Sequence, residues 1–261
     1  MKTLAVIIAA RAASQWLPQC LTSVAAQTLP PGWCMRILLG IDECRSTLRV
    51  VKQVRYPQVD VFYFPAHVGP YVIFNSLACR VGADALARFD ADDIMLDLYL
   101  KTQLEKVGSL SRPMITQTWS VYVDEQLHPA AALLANGRQT RVDGRRDGPS
   151  DGQFLMTASV WQRLGSFLPW WCHADTEFLT RAKWAGISRN VIPQHLYVRR
   201  VHPAALSQAQ GTGYRSRIRD LYSYEVRQAS QRYASGLSPE RVWPMVAGYI
   251  PGDCVTLKSI V

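Results

Sequence analysis

Apolar residues along the first hundred positions fall into short runs that end on a polar residue, separated by segments of helical spacing. Leu4–Ala9 is a continuous apolar run. Trp16, Cys20, Leu21 and Val24 then recur at helical intervals up to Pro30-Pro31. Met35–Ile41 is a second run, closed by Asp42. Leu48–Val54 has helical character, Val59–Phe64 is a third run closed by Pro65, Phe74–Gly82 reads as a helix, and Ala85–Phe89 is a fourth run closed by Asp90. Strands buried on both faces read in this way, without alternation, and their alternation with helices predicts a mostly parallel sheet flanked by helices.

The pattern continues with a helix over Leu98–Val107 and a strand over Pro113–Val123. Asn136–Gly152, rich in Gly, Arg and Asp, reads as a mobile loop. A short strand at Phe154–Met156, a helical turn at Ser159–Leu164, a helix at Asp175–Trp184 and a strand at Leu196–Val201 follow. From Gln208 the character changes. Tyr214–Gly236 carries five Arg against Asp220 and Glu225, with Ile218, Leu221 and Val226 spaced as a basic amphipathic helix. The expected division is an α/β domain over 1–207 and a basic helical extension over 208–261.

The N-terminal MKTLAVIIAARAAS imitates a signal peptide, but its apolar run is short and fits a first β-strand at the head of a βαβ series. No stretch approaches the roughly 18 apolar residues of a membrane span. Six Cys without a C-x-x-C pair argue against a zinc ribbon and for reduced thiols, hence a cytoplasmic setting. At 48% hydrophobic, the chain of 261 residues can bury a large core. Its net charge of +9 favours an anionic partner such as a nucleotide, a nucleic acid or an acidic lipid head group, the last allowing peripheral membrane contact.

In parallel sheets ligands collect at the carboxyl ends of strands, where Asp42 and Asp90 stand. The segment Phe89-Asp90-Ala91-Asp92-Asp93 packs three carboxylates into four residues, a repulsion that a hard divalent ion such as Mg²⁺ or Mn²⁺ offsets. An acidic turn capping a helix is the simpler alternative. Asp175 stands at a helix start, as a cap or as a general base facing the same cleft. His202, after the last core strand, is a structural histidine or a metal ligand.

These segments together resemble the family 2 glycosyltransferases. The resemblance is carried by VIIAA, LLGID, HVGPYVIFNSLACRVGADALARFDADD, DTEFLTRAKWAG and VRRVHPAALS, in order, over about residues 4 to 207. It implies a GT-A fold and an inverting, metal-dependent transfer of a sugar from a nucleotide-sugar donor, UDP-linked in the family. It implies that Ala10, Arg11, Asp42, Gly69, Asn75 and Asp90 hold the nucleotide, with Asp42 on the base. It further implies that Asp92, Asp93 and His202 serve Mn²⁺ or Mg²⁺ and that Asp175 is the catalytic base. The acceptor is open: a glycan, a lipid-linked molecule or a modified nucleic acid. The chain departs from the family at Ala174, where a Glu often precedes the base, and at Glu43-Cys44, where Gly-Ser often follows the acid. Glu177 is a candidate to replace the missing acid. Two other classes fit parts of the pattern: a D-x-D phosphotransferase, and a non-catalytic nucleotide- or nucleic-acid-binding module on the same fold.

Overall fold

The computed structural model describes residues 1–53, 56, 58–131, 140–150, 152–239 and the backbone of 255–256. Strand β1 (Lys2–Ala10) is its centre. It lies parallel between β2 (Trp33–Asp42) and β4 (Ala85–Asp90), with β3 (Val59–Phe64) parallel beyond β2. Alternate residues of β1 are buried on opposite faces, Leu4, Val6 and Ile8 on one and Ala5 and Ile7 on the other. This explains why its sequence shows no polar alternation. Helices α1 (Leu17–Ala25) and α4 (Tyr99–Val107) cover the first face. Helices α3 (Pro70–Ala78), α5 (Ala158–Leu164) and α6 (Ala174–Trp184) cover the second. Helix α2 (Arg45–Gln53) follows β2.

The far half of the sheet is mixed. β8 (Phe154–Thr157) is antiparallel to β4 and to β6 (Met114–Val123), and β6 runs parallel to β9 (Ser188–Arg200). The short β5 (Ile94–Met95) closes that edge against β9, and β10 (Val255–Thr256) closes the other against β3. Most of the paired residues lie in parallel ladders, and helices flank both faces, as the apolar runs imply.

Three expectations are corrected. The loop over 136–152 contains a strand, β7 (Arg145–Pro149), antiparallel to β6. β8 pairs only with Ile115 and Thr116, so the second half of β6 has a free edge, and β7 satisfies it. Residues 136–139 and 151 of that segment lie outside the described residues. The helix expected over Phe74–Gly82 starts at Pro70, because Gly69 (φ 84°) turns the chain and Pro70 is pre-set for a first helical position. The last core strand begins at Ser188, eight residues early. Its polar start pairs with β6, and Pro193 sits where the register shifts between Thr118 and Trp119, a place where a missing N–H does little harm.

Helix α7 (Arg217–Ala234), in the basic segment, lies on α6. Tyr222 stacks on Trp170 with centroids 4.3 Å apart, and Trp184 Nε1 donates to Ser230 Oγ at 2.9 Å. Among the described residues no helix is long and apolar enough to cross a membrane. The described cysteines, Cys20, Cys34, Cys44, Cys79 and Cys172, are free thiols; Cys254 lies outside the described residues.

β2 and α3 approach so closely that only glycine fits at position 40. A Cβ there would lie 2.2 Å from Ile73 Cγ2. Gly40→Ala is therefore expected to destabilise the protein by about 1–3 kcal/mol through overpacking, read as a lower urea midpoint at unchanged slope.

Candidate active site

The parallel register brings the ends of β1, β2 and β4 to one level. Ala10 pairs with Ile41 and Ala9 with Asp90, so Ala10, Asp42 and Asp90 rim a single cleft of about 420 Å³. That volume suits a nucleotide-sized ligand. Arg11, exposed, lines the same cleft. Three non-glycine residues of the segments around it hold left-handed backbone: Ala12 (φ 52°), Glu43 (φ 43°) and His173 (φ 69°). Such strain gathers where a fold shapes a site.

The three acidic side chains at the end of β4 diverge. Asp90 is clamped on one side by Arg88 Nη2 at 3.1 Å and on the other by Gln153 Nε2, which donates at 2.7 Å. Burial pushes its carboxyl upward, against the pull of Arg88. Arg88, buried inside a strand otherwise apolar, lies over the Tyr71 ring at 5.1 Å and donates to the Gly152 carbonyl.

Asp93 turns into the protein. It accepts from the Tyr197 hydroxyl and from the Arg200 amide at 2.8 Å, and burial pushes its carboxyl well up, with Asp92 and Asp90 adding to the rise. Asp93, expected as a metal ligand, is in this structure engaged in fastening the β4–β5 turn to β9.

Asp92 faces the cleft, and its Oδ2 lies 2.8 Å from Nε2 of buried His202. The His202 ring packs on Trp16 with centroids 3.8 Å apart, and its Nδ1 is buried without a hydrogen-bond partner among the described residues. The Asp92 carboxylate is an oxygen donor that suits Mn²⁺ or Mg²⁺, and the imidazole beside it is a nitrogen donor softer than these ions prefer. Among the described residues no group of three or more His, Cys, Asp or Glu could hold an ion. This pair would therefore leave the other positions to water and phosphate oxygens, as such ions commonly do.

Asp175 lies in the first turn of α6, its Oδ1 accepting from the Thr176 amide at 2.8 Å. Its Oδ2 and the Oδ2 of Asp90 are both 3.5 Å from one point, the position a Cβ on Gly152 would occupy. Both carboxylates thus border the same point of the cleft beside that glycine, so the helix start and the β4 end share the cleft. Ala174 is fully buried in the second core layer, so the departure at this position serves packing. Glu177 does not reach the site. It is buried and bonded to Arg181 Nε at 2.7 Å, and Arg181 also donates to the Leu164 and Ser166 carbonyls.

Three of the expected nucleotide contacts are recast by their partners. Asp42 accepts from the Val68 and Gly69 amides at 2.8 and 3.0 Å and lies 2.7 Å from His67 Nδ1. Its carboxylate, almost fully buried, holds the 67–69 turn rather than standing open to a base. Gly69 supplies that turn's positive φ. Asn75 points away from the cleft and brackets the Phe167 backbone, Nδ2 donating to its carbonyl at 2.9 Å and Oδ1 accepting from its amide at 3.0 Å. Sequence reasoning missed Arg88, Gln153, Tyr197 and Arg199. Only Arg88 carried a signal, a charge inside the apolar run ALARF.

No family model matches the chain, and no curated protein matches its sequence. Solved structures do match. S. aureus TarS 1–349 in complex with UDP superposes with a TM-score of 0.57 at 14% identity, covering 93% of this chain and 74% of that one. The mannosyltransferase PcManGT from Pyrobaculum calidifontis, in complex with GDP-Man and Mn²⁺, gives 0.65 at 10% identity, covering 88% and 64%. Longer S. aureus TarS gives 0.56 at 15%, covering 91% of this chain and 44% of that one. The fold is GT-A-like. In this GT-A-like frame the cleft lies at the carboxyl ends of the central parallel strands, where open α/β sheets bind their ligands.

Two measurements check the assignment of roles. Asn75→Ala leaves the Phe167 backbone groups unpaired in the core and is expected to cost about 1–3 kcal/mol in urea unfolding, with no change in nucleotide affinity. At the end of β2, burial pushes the Cys44 thiol up, but hydrogen bonds from Ser46, Thr47 and the Ala12 amide outweigh it and bring it to about 7. Exposed Cys79 is raised instead by partial burial. At pH 7.5 iodoacetamide is therefore expected to label Cys44 ahead of Cys79, as read by peptide mass mapping.

Proposed function

We propose that the chain is an inverting, metal-dependent glycosyltransferase of the family 2 kind, moving a sugar from a nucleotide-sugar donor, UDP-linked, to an acceptor hydroxyl. The observation that carries this reading is the convergence of Asp175 and Asp90 on one point beside Gly152, in the cleft of a GT-A-like fold. Relatives in fold are recorded with UDP and with GDP-Man and Mn²⁺, which supports a nucleotide-sugar donor.

In this reading the ends of β1 and β2 receive the nucleotide. Ala10 and Arg11 contact it directly, and Asp42 acts through the turn it holds. Asp90, fixed by Arg88 and Gln153, accepts from the donor's ribose. That double engagement also leaves it poorly placed as the attacking nucleophile of a D-x-D phosphotransferase. Asp92 and His202 would hold Mn²⁺ or Mg²⁺, an ion that neutralises charge on a leaving diphosphate. Asp175 takes the proton from the acceptor hydroxyl as its oxygen bonds to the anomeric carbon. The bond from that carbon to the diphosphate breaks on the opposite face, and the configuration inverts. Residues 1–207 form the catalytic unit, with the basic segment after it as an accessory on the α6 side.

The test is a pair of variants under saturating donor. Asp175→Asn is expected to reduce sugar transfer by about 10²–10⁴-fold, as loss of a general base does, while nucleoside diphosphate still binds. Asp92→Ala is expected to abolish the response of nucleotide binding to Mn²⁺. Wild-type turnover in Asp175→Asn would remove the base from its role. Metal dependence kept in Asp92→Ala would remove the ion site.

A further inference from the structure

The cleft carries a second charged feature that the donor reading does not use. Tyr122 on β6, Arg199 on β9 and Arg146 on β7 meet at one point of its wall. Arg146 Nη1 donates to the Tyr122 hydroxyl at 3.1 Å and Arg199 Nη1 to the same oxygen at 3.5 Å, while Arg199 Nη1 also donates to Ser150 Oγ at 3.0 Å. The Arg199 guanidinium lies 5.6 Å from the Tyr122 ring centroid. Both arginines are half-buried and line the cleft.

Neither guanidinium has a carboxylate partner among the described residues. The acids in reach are committed elsewhere. Asp90 is paired with Arg88, and Asp93 is held by Tyr197 and Arg200. Asp147 on β7 pairs with Arg141 and His195, and Asp143 with Arg141. Two positive forks therefore converge on one neutral hydroxyl in the cleft wall. The phenol itself reports the field: burial pushes Tyr122 up, yet Arg199 and Arg146 more than reverse this and hold it below its ordinary value. A site that draws a phenol toward its anion favours an oxyanion ligand, and arginine forks match phosphate and carboxylate oxygens two at a time.

The strand order decides which half of the ligand set this is. The sheet runs β3-β2-β1-β4-β8-β6-β9-β5, so the arginine pair stands on β7 and β9, strands separate from β1 and β2, whose ends form the nucleotide side. A donor diphosphate held at Asp92 and His202 is flanked by Trp16 and the β1 end. The arginine pair lines the same cleft from β7 and β9, with Ser150 beside it. We propose that Arg146 and Arg199, braced on Tyr122 and Ser150, form an acceptor subsite for a phosphate or carboxylate borne by the acceptor. The proposal names the acceptor class for the transferase reading and rests on it.

The probes are glycerol, glycerol phosphate and glycerate, titrated by calorimetry into the protein saturated with UDP and Mn²⁺ and, separately, into the protein alone. At least one of the two anions is expected to bind about tenfold or more tightly than glycerol, and the stronger of them tells phosphate from carboxylate. Arg146→Gln and Arg199→Gln are each expected to weaken that anion about tenfold while UDP affinity stays unchanged. The wild-type comparison of charged and neutral probes stands even where a variant folds poorly. Three results would overturn the subsite: equal binding of charged and neutral probes, displacement of the anion by UDP, or loss of UDP affinity in the glutamine variants. If UDP itself fails to bind while the anion preference and its loss in both variants persist, the subsite stands and the transferase reading falls.

Discussion

The contact on which the site depends is the one Asp93 makes inside the protein. The turn after β4 carries three carboxylates, and left to itself it would splay in solvent under their mutual repulsion. Asp93 instead accepts from the Tyr197 hydroxyl and the Arg200 amide, deep enough that burial raises its carboxyl well above the usual range. One acid is thereby withdrawn from the repulsion and converted into a tie between β4 and β9. The short β5–β9 pairing continues the tie. With β9 fixed, the strand's end delivers His202 beside Asp92, and the arginines on either side of it diverge, Arg200 toward Gln19 and the Asp92 carbonyl, Arg199 toward Ser150.

A second constraint acts on the opposite wall. Gly152 is wedged between Arg88, Asp90 and Asp175, so that any side chain there would intrude among the charged groups. α6 is held in place from below by Arg181, whose three buried bonds join Glu177 to the carbonyls of the preceding segment. From outside it is held by α7, which also reaches His173 through Ser223 at 3.2 Å. The basic helix thus bears on the segment that presents Asp175, and its Arg219, stacked on Tyr214, closes part of the cleft rim.

How much of this the sequence discloses follows from the range of each interaction. β3 and β4 were legible within a residue and β1 within two, because strands packed inside a sheet are largely apolar and stop where the sheet meets solvent. Asp42 and Asp90, the acids closing β2 and β4, were legible for the same reason. The first half of β9 was not: Ser188–His195 is polar and contains Pro193, and only the free edge of β6 makes it a strand. β7 was hidden likewise. The contacts that Asp42, Asn75 and Asp93 make were not legible, because their partners, Val68, Phe167 and Tyr197, lie 26, 92 and 104 residues away. Nothing in the local pattern separates a carboxylate open to a ligand from one consumed by a distant backbone.

A nucleotide site at the ends of β1, β2 and β4, its affinity dependent on a divalent ion at Asp92 and His202, is what the proposed function requires of the cleft. Calorimetric titration of the protein with UDP, GDP, CDP and dTDP, each with and without Mn²⁺, measures this. One nucleoside diphosphate is expected to bind, and to bind markedly more tightly with the ion present. Failure of all four to bind, or binding indifferent to Mn²⁺, would contradict it.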